Sequence, residues 1–190
     1  MDVPPNETQL VAQAQAGDQN ALSTLYEAYS HAIFQYVSYR VDGSMLAEDI
    51  TAEVFLRMVR GLPDYEERGL PFGAWLFRIA ANLVHEYHRR RRKITFTALS
   101  DLERQDSTDP IERLSRQEER ERLRQALSTL PRDQQDVLIL RFMQNLSHAD
   151  VAAILGKSEL AIRSIQHRAL KALGDKLDAP GKQRSYFRGK

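Results

Sequence analysis

Apolar residues recur at intervals of three and four positions along most of this chain. This is the spacing of a helix that packs one face against a core. In the first half of the chain the pattern is carried by Leu22, Leu25, Tyr26, Tyr29, Ile33, Phe34, Val37, Ile50, Val54 and Met58. No run alternates apolar and polar residues with the period of a strand, so the pattern predicts an all-α fold.

One stretch interrupts this pattern. Residues 94–110, ITFTALSDLERQDSTDP, lack a helical stripe, are rich in Ser, Thr and Asp, and end at a proline. Such a composition is typical of a flexible linker. We therefore expect two small helical domains, an N-terminal bundle at 1–93 and a second domain at 111–178, with a polar basic tail at 179–190.

The second domain carries the local signals of a helix-turn-helix. Ser147 and Asp150 are placed to cap a first helix, since a hydroxyl accepts from a free backbone N–H and a carboxylate suits the positive helix end. Gly156 follows, where helices often end in a left-handed residue, and Ser158 is placed to cap the next helix. The spacing predicts a four-helix domain that contains a helix-turn-helix.

The helix after this turn separates polar from apolar residues. On a wheel of about 100° per residue, its apolar side chains cluster opposite a basic polar stripe. An arginine can pair with a guanine edge, and Lys, Ser and His can hold phosphates or bases. The candidate DNA-binding residues are Lys157, Ser158, Arg163, Ser164, His167, Arg168 and Lys171. Gln166 lies at the margin of the apolar side, where it either extends toward the DNA or is solvated. A surface helix that binds no DNA would also have a polar face.

Charge and composition narrow the class of protein. The chain of 190 residues has a net charge of +1, but residues 111–190 carry +6 and the linker carries −3. A basic module is compatible with nucleic-acid binding or with an ordinary solvated surface. Cysteine is absent, no apolar run is long enough to span a bilayer, and MDVPPNETQL does not read as a signal peptide. We expect a cytoplasmic protein without membrane insertion.

The segment GKSELAIRSIQHRAL resembles the promoter-reading module of bacterial RNA polymerase sigma factors, and most resembles the two-domain extracytoplasmic-function (ECF) group. AEDITAEVFLRMVRGL, residues 47–62, resembles the family segment that grips the clamp helices of core polymerase. The resemblance implies core-binding roles for Asp49, Glu53, Phe55 and Leu56. From the residues alone, Glu53 instead pairs with Arg57 one turn away and Phe55 belongs to the core.

A second N-terminal segment supports the resemblance. FGAWLFRIAANLVHEYHRRRRK, residues 72–93, has an apolar stripe and an opposite basic stripe. In the family this helix and the preceding loop engage the melted −10 element. The implied −10 and melted-strand residues are Arg78, Asn82, His85, Arg89 and Arg90. The arginine-rich end would provide a cationic track for the strand, although cations also suit the end of any helix.

The resemblance implies three partners: core RNA polymerase, through its clamp helices and flap, promoter DNA, and an anti-sigma factor. The C-terminal domain would read the −35 element of the promoter. An enzyme is the first rival, because HEYH at 85–88 superficially resembles a zinc motif, but its histidines are three rather than four positions apart. We expect no catalytic residue, metal or cofactor. The second rival is an autonomous helix-turn-helix regulator that binds duplex operators without polymerase.

Overall fold

The computed structural model describes residues 4–67, 71–95 and 121–177, with the side chains of 92–95 and 177 outside the description. Residues 94 and 95, at the start of the predicted linker, continue a helix. The rest of the predicted linker, the start of the second domain at 111 and the tail at 179–190 lie outside the described residues. We call residues 4–95 the N-terminal module and residues 121–177 the C-terminal module.

Four α-helices form the N-terminal module. They are α1 (Glu7–Gln15), α2 (Gln19–Ser38), α3 (Ser44–Gly61) and α4 (Phe72–Thr95), with a 3₁₀ turn at Leu62–Asp64 after α3. Asp18 caps α2, and its carboxylate accepts from the backbone N–H groups of Asn20 and Ala21 at 2.8 and 3.3 Å. This cap satisfies two of the N–H groups that a helix start leaves without partners.

Aromatic side chains fill the interior of this bundle. Tyr29 packs edge-on against Phe72, and Tyr36 packs against Phe77 in the same manner, each pair with ring centroids 5.8 Å apart. All four rings are buried, and edge-to-face packing of this kind adds to the stabilisation that burial provides. These contacts fix α4 against α2 and set the direction of the polar side of α4.

The C-terminal module is also helical. It contains α5 (residues 121–128), α6 (Arg132–Leu138) continued by a π-helical turn (Ile139–Met143), α7 (His148–Leu155) and α8 (Glu159–Leu177). Pro131 precedes α6, where its missing N–H costs no hydrogen bond. The sequence pattern did not predict the π turn.

The two modules pack against each other. Helix α4 lies against α7, and the buried apolar side chains of both modules belong to one hydrophobic cluster. The described residues contain no strand, which confirms the all-α prediction. Among the helices described here, none is long and apolar enough to cross a membrane.

Candidate nucleic-acid and polymerase interface

The turn between α7 and α8 has the predicted capping chemistry. The Ser147 hydroxyl accepts from the backbone N–H of Asp150 at 3.0 Å, and the Asp150 carboxylate accepts from the N–H of Ser147 at 3.1 Å. Gly156 has a φ of 63°, a left-handed conformation that costs a glycine little. Ser158 accepts from the N–H of Ala161 at 3.2 Å and so caps α8. These local interactions fix the angle at which α8 leaves the turn.

Helix α8 turns its basic stripe to solvent. Ile162, Ile165 and Ala169 are buried against the rest of the module. The exposed residues on the other side are Arg163, Ser164, His167, Arg168 and Lys171. The structure therefore places five of the predicted DNA-binding residues together on one accessible face.

Two basic residues near the start of α8 form ion pairs within the C-terminal module. Lys157 is partly buried, and its Nζ lies 3.0 Å from a carboxylate oxygen of Asp133 at the start of α6. Arg163 faces Glu159 one turn earlier, with 3.7 Å between Nη2 and Oε2. The distance and the exposure of both side chains make this a weak pair. Arg163 is therefore available to a stronger acceptor.

Gln166 serves neither of the purposes that the sequence left open. Its side-chain oxygen accepts from Nε of Arg141 at 3.3 Å and lies 3.0 Å from Nε2 of His148. The amide thus ties α8 to the π turn and to α7. It helps to hold the rotation of α8 about its own axis.

Leu160 is a residue of this face that the sequence reasoning missed. It lies in the first turn of α8 and is 78% exposed. By the helix wheel it falls among Arg163, Ser164 and His167, in the middle of the polar stripe. The candidate DNA-binding residues are all hydrogen-bonding types, so they do not include this leucine. Apolar side chains in recognition helices can nevertheless contact the methyl group of thymine.

Helix α4 carries the second basic stripe. Arg78, Asn82 and Arg89 are exposed, and His85 is partly buried between them. Arg90 is also exposed, and its Nη2 lies 2.6 Å from Oε1 of Glu86. The spacing of three and four residues keeps the first four on one side of the helix.

His85 contacts the C-terminal module. Its Nε2 lies 2.8 Å from Oδ2 of Asp136 on α6. The other carboxylate oxygen of Asp136 accepts from the Tyr36 hydroxyl and from Nε of Arg40, both at 2.7 Å. Burial raises the pKa of Asp136, but the hydrogen bond from His85 and the charge of Arg40 outweigh burial and hold that pKa below its ordinary value. Asp136 is therefore an ionised group buried between the modules.

The second histidine of HEYH also has a protein partner. His88 Nε2 lies 2.7 Å from the backbone oxygen of Arg40, which it contacts as a hydrogen-bond donor. Burial lowers the pKa of His88 below its ordinary value, and the charges of Arg132, Arg40 and Arg91 add to this effect. Within the described residues, no group of three or more His, Asp or Glu is arranged to hold a metal ion.

Helix α3 presents a mixed acidic and apolar surface. Asp49 is exposed, Leu56 is 51% exposed, and Glu53 Oε1 accepts from Nε of Arg57 at 2.8 Å. Phe55 is 6% exposed and packs edge-on against Tyr26, with ring centroids 4.7 Å apart. The structure thus places Phe55 in the core, because its position on α3 points into the bundle. Met45 and Val59, both exposed, supply apolar area that the sequence reasoning did not assign.

Comparisons with known proteins match both modules. The model of Sigma-70 region 2 matches residues 25–94, and that of Sigma-70, region 4 matches residues 126–174. The chain is 39% identical over 171 residues to the ECF RNA polymerase sigma factor BldN of Streptomyces coelicolor, covering 87% of this chain and 63% of that protein. It is 35% identical over 178 residues to the ECF RNA polymerase sigma factor SigD of Mycobacterium tuberculosis, covering 90% of this chain and 84% of that protein.

The chain belongs to the ECF sigma factors. A solved structure supports this assignment across both modules. The sigma factor resembles CnrH, solved in complex with the cytosolic domain of CnrY, with a TM-score of 0.74 and 25% identity. That match covers 92% of this chain and 99% of CnrH.

Membership in the sigma factor family favours promoter-directed initiation among the interpretations that the sequence left open. Sigma factors are non-catalytic initiation factors that direct RNA polymerase to promoters, and the autonomous regulator is not favoured. In this sigma factor, Arg40 and His85 lie in the region 2 match and Asp136 lies in the region 4 match. The buried contact around Asp136 is therefore a contact between region 2 and region 4.

Proposed function

We propose that this sigma factor reads the −35 element with α8 and captures the melted −10 element with α4 while α3 holds it on core polymerase. The proposal rests on one observation: each module turns a basic stripe away from its apolar core, on α4 in region 2 and on α8 in region 4. Two such stripes on separate modules suit a protein that contacts two promoter elements.

For the −35 element, α8 enters the major groove with its first turns against the base edges. Arg163 pairs with a guanine, for which its two-pronged guanidinium is suited. His167, Arg168 and Lys171 lie farther along the helix and hold phosphates, while Ser164 contacts a base or phosphate. Leu160, exposed beside Arg163, contacts a thymine methyl group. Lys157 and Ser158 fix the turn against the backbone.

For the −10 element, the polar side of α4 binds an unpaired strand. Opening duplex costs free energy, and contacts to exposed bases and to the backbone offset this cost. Asn82 and His85 supply hydrogen bonds to bases, and Arg78, Arg89 and Arg90 contact phosphates. Trp75 takes no part as a stacking platform, because its ring packs on Tyr65 and Phe72.

Core polymerase docks on α3. Asp49 and Glu53 share one side of this helix with the exposed Leu56. An acidic rim around apolar area suits a basic partner surface, here the clamp helices of the largest subunit. The flap is the proposed contact of the C-terminal module, and the family resemblance adds an anti-sigma factor as a further partner. We expect the sigma factor to act in the cytoplasm and to leave catalysis to the polymerase.

Run-off transcription tests this function. Purified core polymerase would be supplied with a pool of genomic promoters, with and without the full chain. We expect a small set of transcripts that appears only when the chain is present. An unchanged transcript pattern would refute the assignment, and tight binding of the isolated chain to duplex promoter would support the autonomous regulator instead.

A further inference from the structure

The side-chain amide of Gln166 connects three segments of the C-terminal module. Its Oε1 accepts from Nε of Arg141 at 3.3 Å and lies 3.0 Å from Nε2 of His148. Arg141 belongs to the π turn, His148 begins α7, and Gln166 lies in α8. A carbonyl oxygen has two lone pairs, so it can accept from both donors at once. The amide therefore links α8 to the two segments that precede the turn.

Arg141 also holds the loop that leads into α7. Its Nη1 donates to the backbone oxygen of Leu146, the residue before the cap of α7. This loop contains Asn145 at a φ of 53°, a left-handed conformation that is uncommon for residues other than glycine. The guanidinium is a rigid plane, so its bonds to Leu146 and Gln166 fix the position of the loop relative to α8.

Directed hydrogen bonds determine the rotation of α8 more closely than its apolar contacts do. The buried apolar side chains select the side of α8 that faces the module, but the hydrophobic effect is non-directional. The ion pair of Lys157 with Asp133, just before α8, is partly exposed and contributes little. The contacts of Gln166 are directional, because a hydrogen bond weakens steeply as it departs from linearity. Gln166 is therefore a main restraint on rotation.

A small rotation of α8 would displace the side chains that face DNA. By the helix wheel, Gln166 lies about 60° from Arg163 around the helix. A guanidinium about 6 Å from the axis moves by about 2 Å when the helix turns by about 20°. A hydrogen bond to a base edge needs a distance of about 2.7–3.2 Å, so such a shift would break the pairing of Arg163 with its base.

We propose that Arg141, His148 and Gln166 form a positioning network that determines how strongly Arg163 discriminates between bases of the −35 element. This inference rests on the proposed reading of the −35 element by α8. The three residues act through the rotation of α8 and need no contact with DNA. Promoter specificity at this position consequently depends on side chains outside the DNA-facing stripe.

Gln166→Met tests the network, because methionine is unbranched and of similar length but lacks the amide oxygen. Gln166→Glu keeps an acceptor at the same position and so keeps the network. Gln125→Met is the matched control, at an exposed glutamine of α5 outside the network. Run-off transcription with core polymerase would rank single-base variants of the −35 element for each protein, and circular dichroism would check that each variant is folded.

We expect Gln166→Met to lose about fivefold or more of the discrimination at the position that Arg163 reads. Gln166→Glu and Gln125→Met should rank the promoter variants as wild-type protein does. Combined with Arg163→Ala, the Gln166→Met change should alter the ranking no further. This combination separates an effect through Arg163 from a general loss of stability.

Two results would overturn the inference. The first is a wild-type ranking by Gln166→Met, including the case in which transcription falls equally on every promoter variant. The second is a further change of ranking when Gln166→Met is added to Arg163→Ala. If Arg163→Ala alone ranks the variants as wild-type protein does, the proposed reading of the −35 element by this residue fails, and the inference fails with it.

Discussion

Nε of Arg40 lies 2.7 Å from Oδ1 of Asp136, 96 positions away in the chain, and each side chain is 1% exposed. This ion pair joins the turn that follows α2 to α6 and so joins the region 2 module to the region 4 module. Removal of one partner from a buried pair leaves the other charge without compensation in a site that excludes water. The stability lost when one partner is removed therefore measures how strongly the packing of the two modules depends on this pair.

Asp136→Ala should lower the free energy of unfolding by about 3–5 kcal/mol, because it leaves the buried Arg40 unpaired. Urea unfolding followed by circular dichroism would measure the loss. Asp133→Ala is the matched control on the same helix, because its exposed pair with Lys157 is worth about 1 kcal/mol or less. Equal small losses in the two variants would mean that Asp136 contributes little to the contact between the modules.

Stability should fall as the pH is lowered below about 6.5, the ordinary pKa of histidine. The folded protein lowers the pKa of His88, so the unfolded chain binds the proton more readily and protonation favours unfolding. The contribution of His88 is therefore present above the unfolded pKa and is lost as the pH falls toward the folded one. The contribution of Asp136 to stability is also lost as the pH falls, but at lower pH, since its ordinary pKa is 3.8 and its pKa in the folded protein is lower.

His88→Gln should remove the part of this pH dependence that begins near neutrality, as measured by urea unfolding at a series of pH values. His167→Gln, at an exposed position on α8, should leave it in place. The explanation fails if the His88 variant retains the dependence of the wild-type protein.

Leu160→Ala should remove discrimination between thymine and uracil at one position of the −35 element. Wild-type protein is expected to use a promoter with uracil at that position about fourfold less well, since one buried methyl group is worth about 0.8 kcal/mol. Leu170→Ala changes the same residue type later in α8, at 41% exposure, and should keep the wild-type preference. Replacement of each thymine in turn, with open-complex yield as the measurement, would show whether any position depends on Leu160.

Reversal of charge at Asp49 and Glu53, both to lysine, should weaken binding to core polymerase about tenfold or more. The exposed pair of Glu53 with Arg57 offers little resistance to a basic partner, because surface pairs contribute about 1 kcal/mol or less. Co-purification with core enzyme and a titration of labelled protein would measure the change. Asp175→Lys alters charge at an exposed site on α8 and serves as the control. Undiminished core binding by the double variant would place the docking surface elsewhere.

Features set by neighbouring residues could be predicted from the sequence. The caps at Ser147 and Ser158 and the left-handed Gly156 depend on a few positions each, and the buried side of α8 follows from helical spacing. The buried contact between the modules could not be predicted this way, because Asp136 meets Arg40 only after both modules have folded and packed. A local pattern gives no sign of such a pairing.

Side-chain direction explains the remaining differences. Phe55 was assigned to a binding surface through the family resemblance, whereas its position on α3 directs the ring into the core against Tyr26. Leu160 is exposed in the polar stripe of α8 although its side chain cannot form a hydrogen bond, so a pattern of hydrogen-bonding residues does not indicate it. Helix α1, which did not stand out in the hydrophobic pattern, buries only Leu10 and Val11 and exposes most of its remaining surface.

The central claim is that the outward stripe of α8 selects the promoter, and Arg163→Ala tests it most directly. Run-off transcription on a promoter and its single-base variants in the −35 element would compare wild type, Arg163→Ala and Arg122→Ala, an exposed arginine of α5 outside the stripe. The account predicts that Arg163→Ala loses about 1–3 kcal/mol of discrimination at one guanine, while core binding and the Arg122 control remain unchanged. If Arg163→Ala and wild-type protein rank every variant of the −35 element alike, α8 does not read the promoter through this residue and the account is contradicted.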